Sequence, residues 1–301
     1  MKKDFLKILD FNAEELNEII DLGIELKSQN KKGIKHHLLE GKTLGLIFEK
    51  SSTRTRVSFE VGMYQLGGYP MFLSSNDMQL GRGESIQDTA RVLARYVDGI
   101  MIRSFEQSKV ELLAEYADIP VINGLTNEAH PCQIMADLMT VKEYKGDLKG
   151  LKAAFIGDGN NVCNSYAVAA LKLGMEFVLS CPEGYEPHPA VLDFAKGKTN
   201  FKIVRKPEEA AKNADVVITD VWTSMGQELE QKKRLNDFSG YLVDEKLLAL
   251  AKPGCIVQHC LPAHKGEEIS EESFEKHAIE IFDEAENRLH VQKAIMVKFM
   301  K

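Results

Sequence analysis

The segment 51–56, Ser-Ser-Thr-Arg-Thr-Arg, has the residue types of an anion-binding site. It follows the apolar run Thr43–Phe48, which predicts a buried strand, and it precedes a pattern typical of a helix. Backbone N–H groups, hydroxyl donors and the positive end of the helix dipole therefore meet at the helix start. Two arginines there favour a phosphorylated substrate over a simple inorganic ion. The structural alternative is a helix cap flanked by solvated arginines.

Two further groups in the first half of the chain have donors at predicted strand ends. Segment 130–133, His-Pro-Cys-Gln, opens a helix, and proline at the first helical position leaves His130 near the cap. A neutral imidazole and the amide of Gln133 could donate to a substrate carbonyl without adding charge. Arg103 follows the predicted strand Gly99–Ile102 as a lone cation. Helix capping and an ordinary surface arginine are the structural alternatives.

Segment 157–161, Gly-Asp-Gly-Asn-Asn, resembles part of a dinucleotide-binding fingerprint. The third glycine of that fingerprint is replaced by Val162, and no clear acidic ribose partner ends the next strand. The two asparagines instead offer amide donors at a helix start, which suits a carboxylate. An NAD-dependent oxidoreductase is therefore a disfavoured alternative.

Segments 220–226 and 259–264 end two later predicted strands, and they read Asp-Val-Trp-Thr-Ser-Met-Gly and His-Cys-Leu-Pro-Ala-His. The carboxylate of Asp220, with Ser224 and free backbone groups, could hold an ammonium group. Cys260 stands where a thiol would meet a reacting group. A helix cap, a glycine turn and a buried core cysteine are the structural alternatives.

Strand-like apolar runs alternate with amphipathic helical runs from residue 43 onward, which predicts parallel sheets covered by helices. An opening helix is expected after Asn12, and a closing helix is expected over Arg288–Phe299. The stretch 225–240 is polar and weakly periodic, which predicts a mobile loop. The predicted strands are Leu44–Phe48, Pro70–Ser74, Gly99–Ile102, Pro120–Asn123, Lys152–Ile156, Glu176–Ser180, Lys202–Val204, Asp215–Thr219, Cys255–His259 and Ile279–Phe282.

The expected fold class is α/β, with two doubly wound parallel-sheet domains flanked by helices. A short polar segment near residue 144 predicts a first domain of residues 1–143 and a second of residues 144–287. The C-terminal helix 288–301 is expected to pack back on the first domain. Ligands of open parallel sheets bind at the carboxyl ends of the strands, so the polar strand ends predict an active site in the interdomain cleft.

Composition narrows the class of protein. The chain has 301 residues, 44% of them hydrophobic, and a net charge of -7, which disfavours nucleic acid and acidic membranes as partners. No apolar run approaches the roughly 18 residues that span a bilayer, and residues 1–4 lack the apolar core of a signal peptide. Five cysteines without CxxC spacing predict reduced thiols and neither disulfides nor a zinc site. We therefore expect a cytoplasmic protein that handles small molecules without a metal.

Taken together, these clusters resemble the ornithine carbamoyltransferases of the aspartate/ornithine carbamoyltransferase family, over essentially the whole chain. The stretches that carry the resemblance are 48–56, 130–133, 220–226, 259–262 and 284–288. The first is shared with aspartate carbamoyltransferases and concerns carbamoyl phosphate. The Ser-Met-Gly and His-Cys-Leu-Pro stretches are specific to the ornithine branch.

The resemblance implies an activity and a set of site residues. The activity is the conversion of carbamoyl phosphate and L-ornithine to L-citrulline and phosphate in arginine metabolism, by direct attack of the neutral side-chain amine and without a cofactor. The residues implied to bind carbamoyl phosphate are Ser52, Thr53, Arg54, Thr55, Gln79, Arg103, His130, Gln133, Cys260, Leu261 and Arg288. Those implied to hold ornithine are Asn161, Asp220, Ser224 and Met225. Those implied to be catalytic are Arg54, Arg103, His130 and Cys260.

Family members are built on catalytic trimers, so a homo-oligomer is expected, with Gln79 reaching a neighbouring subunit's site. The nearest alternative is a related carbamoyltransferase that acts on putrescine or a modified ornithine. Asp220 with the Ser-Met-Gly stretch favours a free α-amino acid. A non-catalytic anion-binding module is a further alternative, and it is disfavoured because both halves of the implied site are filled.

Overall fold

The computed structural model of this chain describes residues 2–74, 83–223 and 228–301. The chain forms two compact units, one of Met1–Met139 with Glu286–Lys301 and the other of Thr140–Ala285. Each unit is an α/β structure built on its own parallel sheet. Both boundaries fall inside helices, a few residues before the predicted positions 143/144 and 287/288.

The first unit contains a four-stranded parallel sheet with the strand order β2-β1-β3-β4. Its central strands are buried along their length, as continuous apolar runs in a parallel sheet require. The strands are β1 Thr43–Phe48, β2 Tyr69–Ser74, β3 Gly99–Arg103 and β4 Val121–Leu125. The helices that begin in this unit are α1 Ala13–Lys31, α2 Thr53–Gln65, α3 Ile86–Leu93, α4 Gln107–Tyr116 and α5 Pro131–Lys145.

The second unit contains a five-stranded parallel sheet with the strand order β7-β6-β5-β8-β9. The order reverses at β5, as in a doubly wound fold. The strands are β5 Lys152–Ile156, β6 Glu176–Ser180, β7 Phe201–Val204, β8 Val216–Thr219 and β9 Ile256–His259. The helices that begin here are α6 Asn161–Lys172, α7 Pro189–Ala195, α8 Pro207–Ala211, α9 Gln231–Asp237, α10 Glu245–Leu248, α11 Glu271–Lys276 and α12 Ala278–Met300. The two predicted parallel sheets are confirmed.

Two predictions of local structure are wrong. The predicted strand Ile279–Phe282 is the first turn of α12, because three apolar residues in a four-residue segment do not distinguish a strand from a helix. Its residues Ile279 and Phe282, three positions apart, are both exposed. The predicted loop 225–240 contains the short helix α9, preceded by a 3₁₀ turn over Glu228–Glu230.

A bulge shapes the carboxyl end of β3. The pairing of β3 with β4 shifts register between Ile102 and Arg103, and Gly124 is the extra residue on β4. A Cβ atom at Gly124 would lie 2.5 Å from the sulfur of Met101, so a larger residue there would require the Met101 side chain to move. The bulge lies where β3 ends at Arg103.

Among the described residues, none of the helices is both long enough and apolar enough to cross a bilayer.

Candidate functional site

The anion-binding segment of the first unit folds as a capped helix start. Ser52 is the N-cap of α2, and its hydroxyl accepts from the backbone N–H of Thr55 at 3.2 Å. Ser52 also donates to the hydroxyl of Thr55 at 3.1 Å. Arg54 lies in the same first turn, which contains no acidic residue. This helix end therefore combines its dipole with a cation, an arrangement that favours a bound anion.

Two buried guanidinium groups converge on Thr55. Arg103 Nη1, from the end of β3, donates to Thr55 Oγ1 at 3.3 Å. Arg288 Nη2, from α12, donates to the same oxygen at 3.3 Å. Both arginines are less than a tenth exposed. Arg103 and Arg288 are 48 and 233 positions from Thr55 in the chain, and both donate to its hydroxyl.

The amide of Gln133 is held at both ends. Its Nε2 donates to Asp137 at 2.7 Å, one turn further along α5, and its Oε1 accepts from Arg288 Nη1 at 2.6 Å. Its oxygen is therefore the end that faces the arginines. The expected role of Gln133 as a donor to a substrate carbonyl stays a prediction. The oxygen of this amide is suited to accept from an –NH₂ group.

The surroundings of His130 favour its neutral form. Burial lowers its pKa well below the ordinary value, and the positive charges of Arg288, Arg103, Arg54 and Lys50 lower it further. A neutral imidazole among cations can donate a hydrogen bond without adding to their mutual repulsion. The expectation of an uncharged histidine at this position is supported by its surroundings.

These histidine pKa values predict how stability depends on pH. Burial also lowers the pKa of His290 to about 4, whereas an unfolded histidine titrates at about 6.5. The unfolded chain therefore binds these protons first, and the free energy of unfolding falls as pH drops from about 6.5 towards 4. The free energy of unfolding is to be measured with urea between pH 7 and 4.5. Its dependence on pH should be weaker in His290→Gln than in the wild type, by at most about 1.4 kcal/mol per pH unit. His37→Gln, at an exposed position, is the control, and equal slopes in all three proteins would contradict this account.

The second unit places Asp220 and Cys260 in contact. Asp220 follows β8 and Cys260 follows β9, which pairs with β8 in parallel. The Cys260 thiol donates to Asp220 Oδ1 at 3.1 Å, and the backbone N–H of Val221 donates to the same oxygen at 2.9 Å. The other carboxylate oxygen accepts from Asn160 Nδ2 at 2.7 Å. A thiol that donates to a carboxylate is not a free thiolate, so this geometry disfavours covalent attack by Cys260.

A hydrogen-bonded pair of His259 and Glu268 fixes the turn after Cys260. The backbone N–H of Leu261 donates to His259 Nδ1 at 2.9 Å, so the ring hydrogen resides on Nε2. That nitrogen donates to the buried carboxylate of Glu268 at 3.0 Å. Leu261 itself has a φ of 59°, in the left-handed region that non-glycine residues rarely adopt. The His259–Glu268 pair therefore supports a strained residue beside Cys260.

Arg234 connects two turns of the second unit, one that contains Asp158 and one that contains Trp222. Its Nη1 donates to Asp158 Oδ2 at 2.6 Å and to the carbonyl of Trp222 at 2.9 Å. Burial raises the pKa of Asp158 although Arg234 opposes the shift, so desolvation outweighs the attraction. Such a buried ion pair is weak evidence for stability, and its geometry indicates a positioning role.

Removing Arg234 should therefore lower the stability of the protein. Arg234→Met leaves Asp158 buried without its ion-pair partner, and the free energy of unfolding should fall by about 3 kcal/mol. The double variant Arg234→Met/Asp158→Asn should regain part of the stability in urea unfolding. A double variant less stable than Arg234→Met would contradict the ion-pair argument.

Gly159 does not serve as a dinucleotide-binding glycine. A Cβ atom there would lie 2.5 Å from backbone atoms of Glu186 and Pro187. The glycine is thus required for close packing of two chain segments, and Asn160, not a pyrophosphate, satisfies the first N–H groups of α6. The NAD alternative has no support in this turn.

Two sets of side chains in the described part of the chain have the spacing of metal ligands, namely Asp220, His259 and Cys260, and His264, Glu267 and Glu268. In the first set, Asp220 already accepts from Cys260, and His259 already bonds with Leu261 and Glu268.

The structure divides the predicted site residues between the units. The first unit contains Ser52, Thr53, Arg54, Thr55, Arg103, His130, Gln133 and Arg288, and the second contains Asn161, Asp220, Cys260 and Leu261. Gln79, Ser224 and Met225 lie outside the described residues. Asn160 was expected as an amide donor at the start of α6, whereas Asp137 and Arg234 were not predicted from the sequence. Of these two, only Asp137 had a usable signal, because it is four residues from Gln133 on one helix face.

The chain has an anion-binding helix start in one α/β unit and a carboxylate–thiol pair in the other, as expected of a two-domain enzyme. Comparison with known proteins identifies its family. Residues 3–143 match the family model "Aspartate/ornithine carbamoyltransferase, carbamoyl-P binding domain", and residues 149–299 match the "Asp/Orn binding domain" model. The chain belongs to the aspartate/ornithine carbamoyltransferase family and is therefore a transferase.

Individual relatives agree with this assignment. The chain is 57% identical to the ornithine carbamoyltransferase of Geobacter sulfurreducens, with 100% of both chains covered. It is 53% identical to that of Methanosarcina mazei, again over 100% of both. The solved ornithine carbamoyltransferase of Pyrococcus furiosus is 48% identical, with a TM-score of 0.94 over 99% of this chain and 97% of that one. The family resemblance read from the motifs is confirmed.

Proposed function

We propose that this chain transfers the carbamoyl group of carbamoyl phosphate to the side-chain amine of L-ornithine, giving L-citrulline and phosphate. The observation that carries the proposal is the convergence of Arg103 and Arg288 on Thr55 at the capped start of α2. The names of the relatives support ornithine as the acceptor.

The first unit has the donors that carbamoyl phosphate requires. The N–H groups at the start of α2, with Ser52, Thr53 and Arg54, would bind the phosphate. Arg103, Thr55 and the neutral His130 would donate to the carbonyl oxygen as it becomes an oxyanion. Loss of one such donor typically raises the barrier by about 2.7–4 kcal/mol. The oxygen of Gln133, turned towards Arg288, would accept from the carbamoyl –NH₂.

The second unit has the groups that an amino acid requires. The carboxylate of Asp220 would pair with the α-ammonium group, and Asn161 at the start of α6 would address the carboxylate. Cys260 and Leu261 would face the reacting centre, where the thiol orients the amine. The roles that the family resemblance implies for Gln79 in carbamoyl phosphate binding, and for Ser224 and Met225 in ornithine binding, are part of this proposal.

The chemistry needs no covalent enzyme intermediate. The neutral amine attacks the carbamoyl carbon, a C–N bond forms, the C–O bond to phosphate breaks, and the amine proton leaves with phosphate. The free amine resembles lysine, with an unperturbed pKa of about 10.4. Desolvation beside cationic arginines would lower that pKa and increase the reactive neutral fraction.

Self-association is supported by exposed apolar residues on α2 and on the edge strand β2 of the first unit. Val57, Val61 and Tyr64 lie along one side of α2, and Tyr69, Met71 and Phe72 lie on β2. An apolar surface of this kind on an edge strand favours burial against another chain. We propose that a second copy covers it in a trimer or a multiple of trimers. Light scattering should give a multiple of three chain masses, and a monomer at micromolar concentration would contradict this.

The choice of acceptor is tested by initial rates of product formation. With carbamoyl phosphate saturating, L-ornithine should give citrulline with a kcat/KM at least about 100-fold above that for putrescine, because putrescine has no α-amino acid group for Asp220 and Asn161. Nα-acetylornithine, which lacks the α-ammonium charge, is the second competitor. A higher kcat/KM for putrescine or acetylornithine would identify the alternative carbamoyltransferase.

A further inference from the structure

Asn160 has a side chain that is bonded at both ends. Its Oδ1 accepts from the backbone N–H groups of Val162 and Cys163, at 3.0 and 3.1 Å, and this makes it the N-cap of α6. Its Nδ2 donates to Asp220 Oδ2 at 2.7 Å. One amide thus connects the end of β5 to the end of β8.

The cap determines the orientation of the amide. Two helix N–H groups require an oxygen, so the nitrogen of Asn160 must point away from the helix and towards Asp220. The other oxygen of Asp220 already accepts from Val221 and Cys260. Asn160 therefore occupies the remaining oxygen and holds the carboxylate plane in one orientation.

The turn that carries Asn160 is itself held in place. Asp158, two residues earlier, pairs with Arg234, and the backbone N–H of Gly159 donates to the carbonyl of Tyr185 at 2.9 Å. A side chain on so constrained a turn can fix its partner's position.

We propose that Asn160 is a positioning residue for the amino-acid substrate, which acts by orienting the Asp220 carboxylate towards the α-ammonium group and the Cys260 thiol. The proposal rests on the proposed function. Asn160 need not touch the substrate, because its effect passes through Asp220.

Two substitutions separate the cap from the positioning role. Serine is as good an N-cap as asparagine, so Asn160→Ser keeps the helix start and loses the donor to Asp220. Asn160→Asp also keeps the cap, but it places a second carboxylate against Asp220. Both variants should fold, since the cap that each preserves is the structural role of this residue.

The test measures KM for each substrate and the melting temperature. Asn160→Ser should raise the KM for ornithine about tenfold, the effect of one lost hydrogen bond to a charged group, and Asn160→Asp should raise it more. The KM for carbamoyl phosphate should stay within about twofold, because its anion-binding donors lie in the first unit. Asn12→Ser is the matched control, since Asn12 caps α1 through the N–H of Glu15 at 2.9 Å and is not among the proposed substrate-binding residues.

Three results would overturn the inference. Unchanged ornithine KM in Asn160→Ser would show that the contact does not position Asp220. A lower melting temperature with equal changes in both KM values would show a structural role alone. In an Asp220→Asn background, Asn160→Ser should have little further effect, and full additivity would show that Asn160 acts independently of Asp220. A wild-type chain that forms no citrulline would contradict the proposed function instead.

Discussion

Replacing Arg54 by alanine should remove nearly all turnover and leave the fold at least as stable. Arg54 is a cation in the first turn of α2, where the helix dipole disfavours positive charge by about 0.3–1 kcal/mol. Its removal relieves that cost in the free protein. If Arg54 binds the phosphate as we propose, its removal also deletes a donor to that group, and kcat/KM for carbamoyl phosphate should fall about 10³-fold.

The measurement combines steady-state kinetics with a melting curve. Arg91→Ala is the matched control, because Arg91 is an exposed helix arginine of the same unit that pairs with Asp88. The control should retain full kcat/KM. A stable Arg54→Ala variant with near-normal kinetics would remove Arg54 from the site, and a strongly destabilised one would show that its role is structural.

Replacing Asp220 by asparagine should chiefly weaken the binding of the amino-acid substrate. The change removes the charge that would pair with the α-ammonium group and leaves the shape of the side chain unchanged. Loss of one partner of a desolvated charge pair costs several kcal/mol, so the KM for ornithine should rise about 100-fold. The KM for carbamoyl phosphate should change little.

Asp215→Asn is the control for this variant. Asp215 precedes the same strand, β8, at its opposite end, where it accepts from the backbone N–H of Lys152 at 2.8 Å and pairs with Lys252. That replacement should lower stability and spare both KM values. Equal kinetic effects of the two substitutions would show that Asp220 acts only through the fold.

Much of the fold follows from local sequence. The strands of both sheets are predictable because each is a short run of buried apolar residues between turn signals, as in Lys152–Ile156 and Glu176–Ser180. Helix starts are predictable where a capping side chain precedes them, as Asn12 does for α1. The segment Ile279–Phe282 misleads because its apolar positions suit either period.

The site is only half predictable from sequence. Arg103, His130 and Asp220 stand at strand ends or helix starts, so their position at the carboxyl edge of a sheet follows from topology. Other contacts of the candidate site join positions far apart in the chain, as with Arg288 and Thr55 or Arg234 and Asp158. No local pattern encodes such pairs, because they depend on how elements distant in sequence pack in the folded unit.

The central claim is direct transfer of a carbamoyl group to ornithine, and isotope tracing tests it most directly. Carbamoyl phosphate labelled with ¹³C, incubated with the purified chain and L-ornithine, should give citrulline labelled at the ureido carbon. One phosphate should be released for each citrulline formed. Phosphate release without labelled citrulline, or labelled citrulline that forms equally fast with Arg54→Ala, would contradict the account.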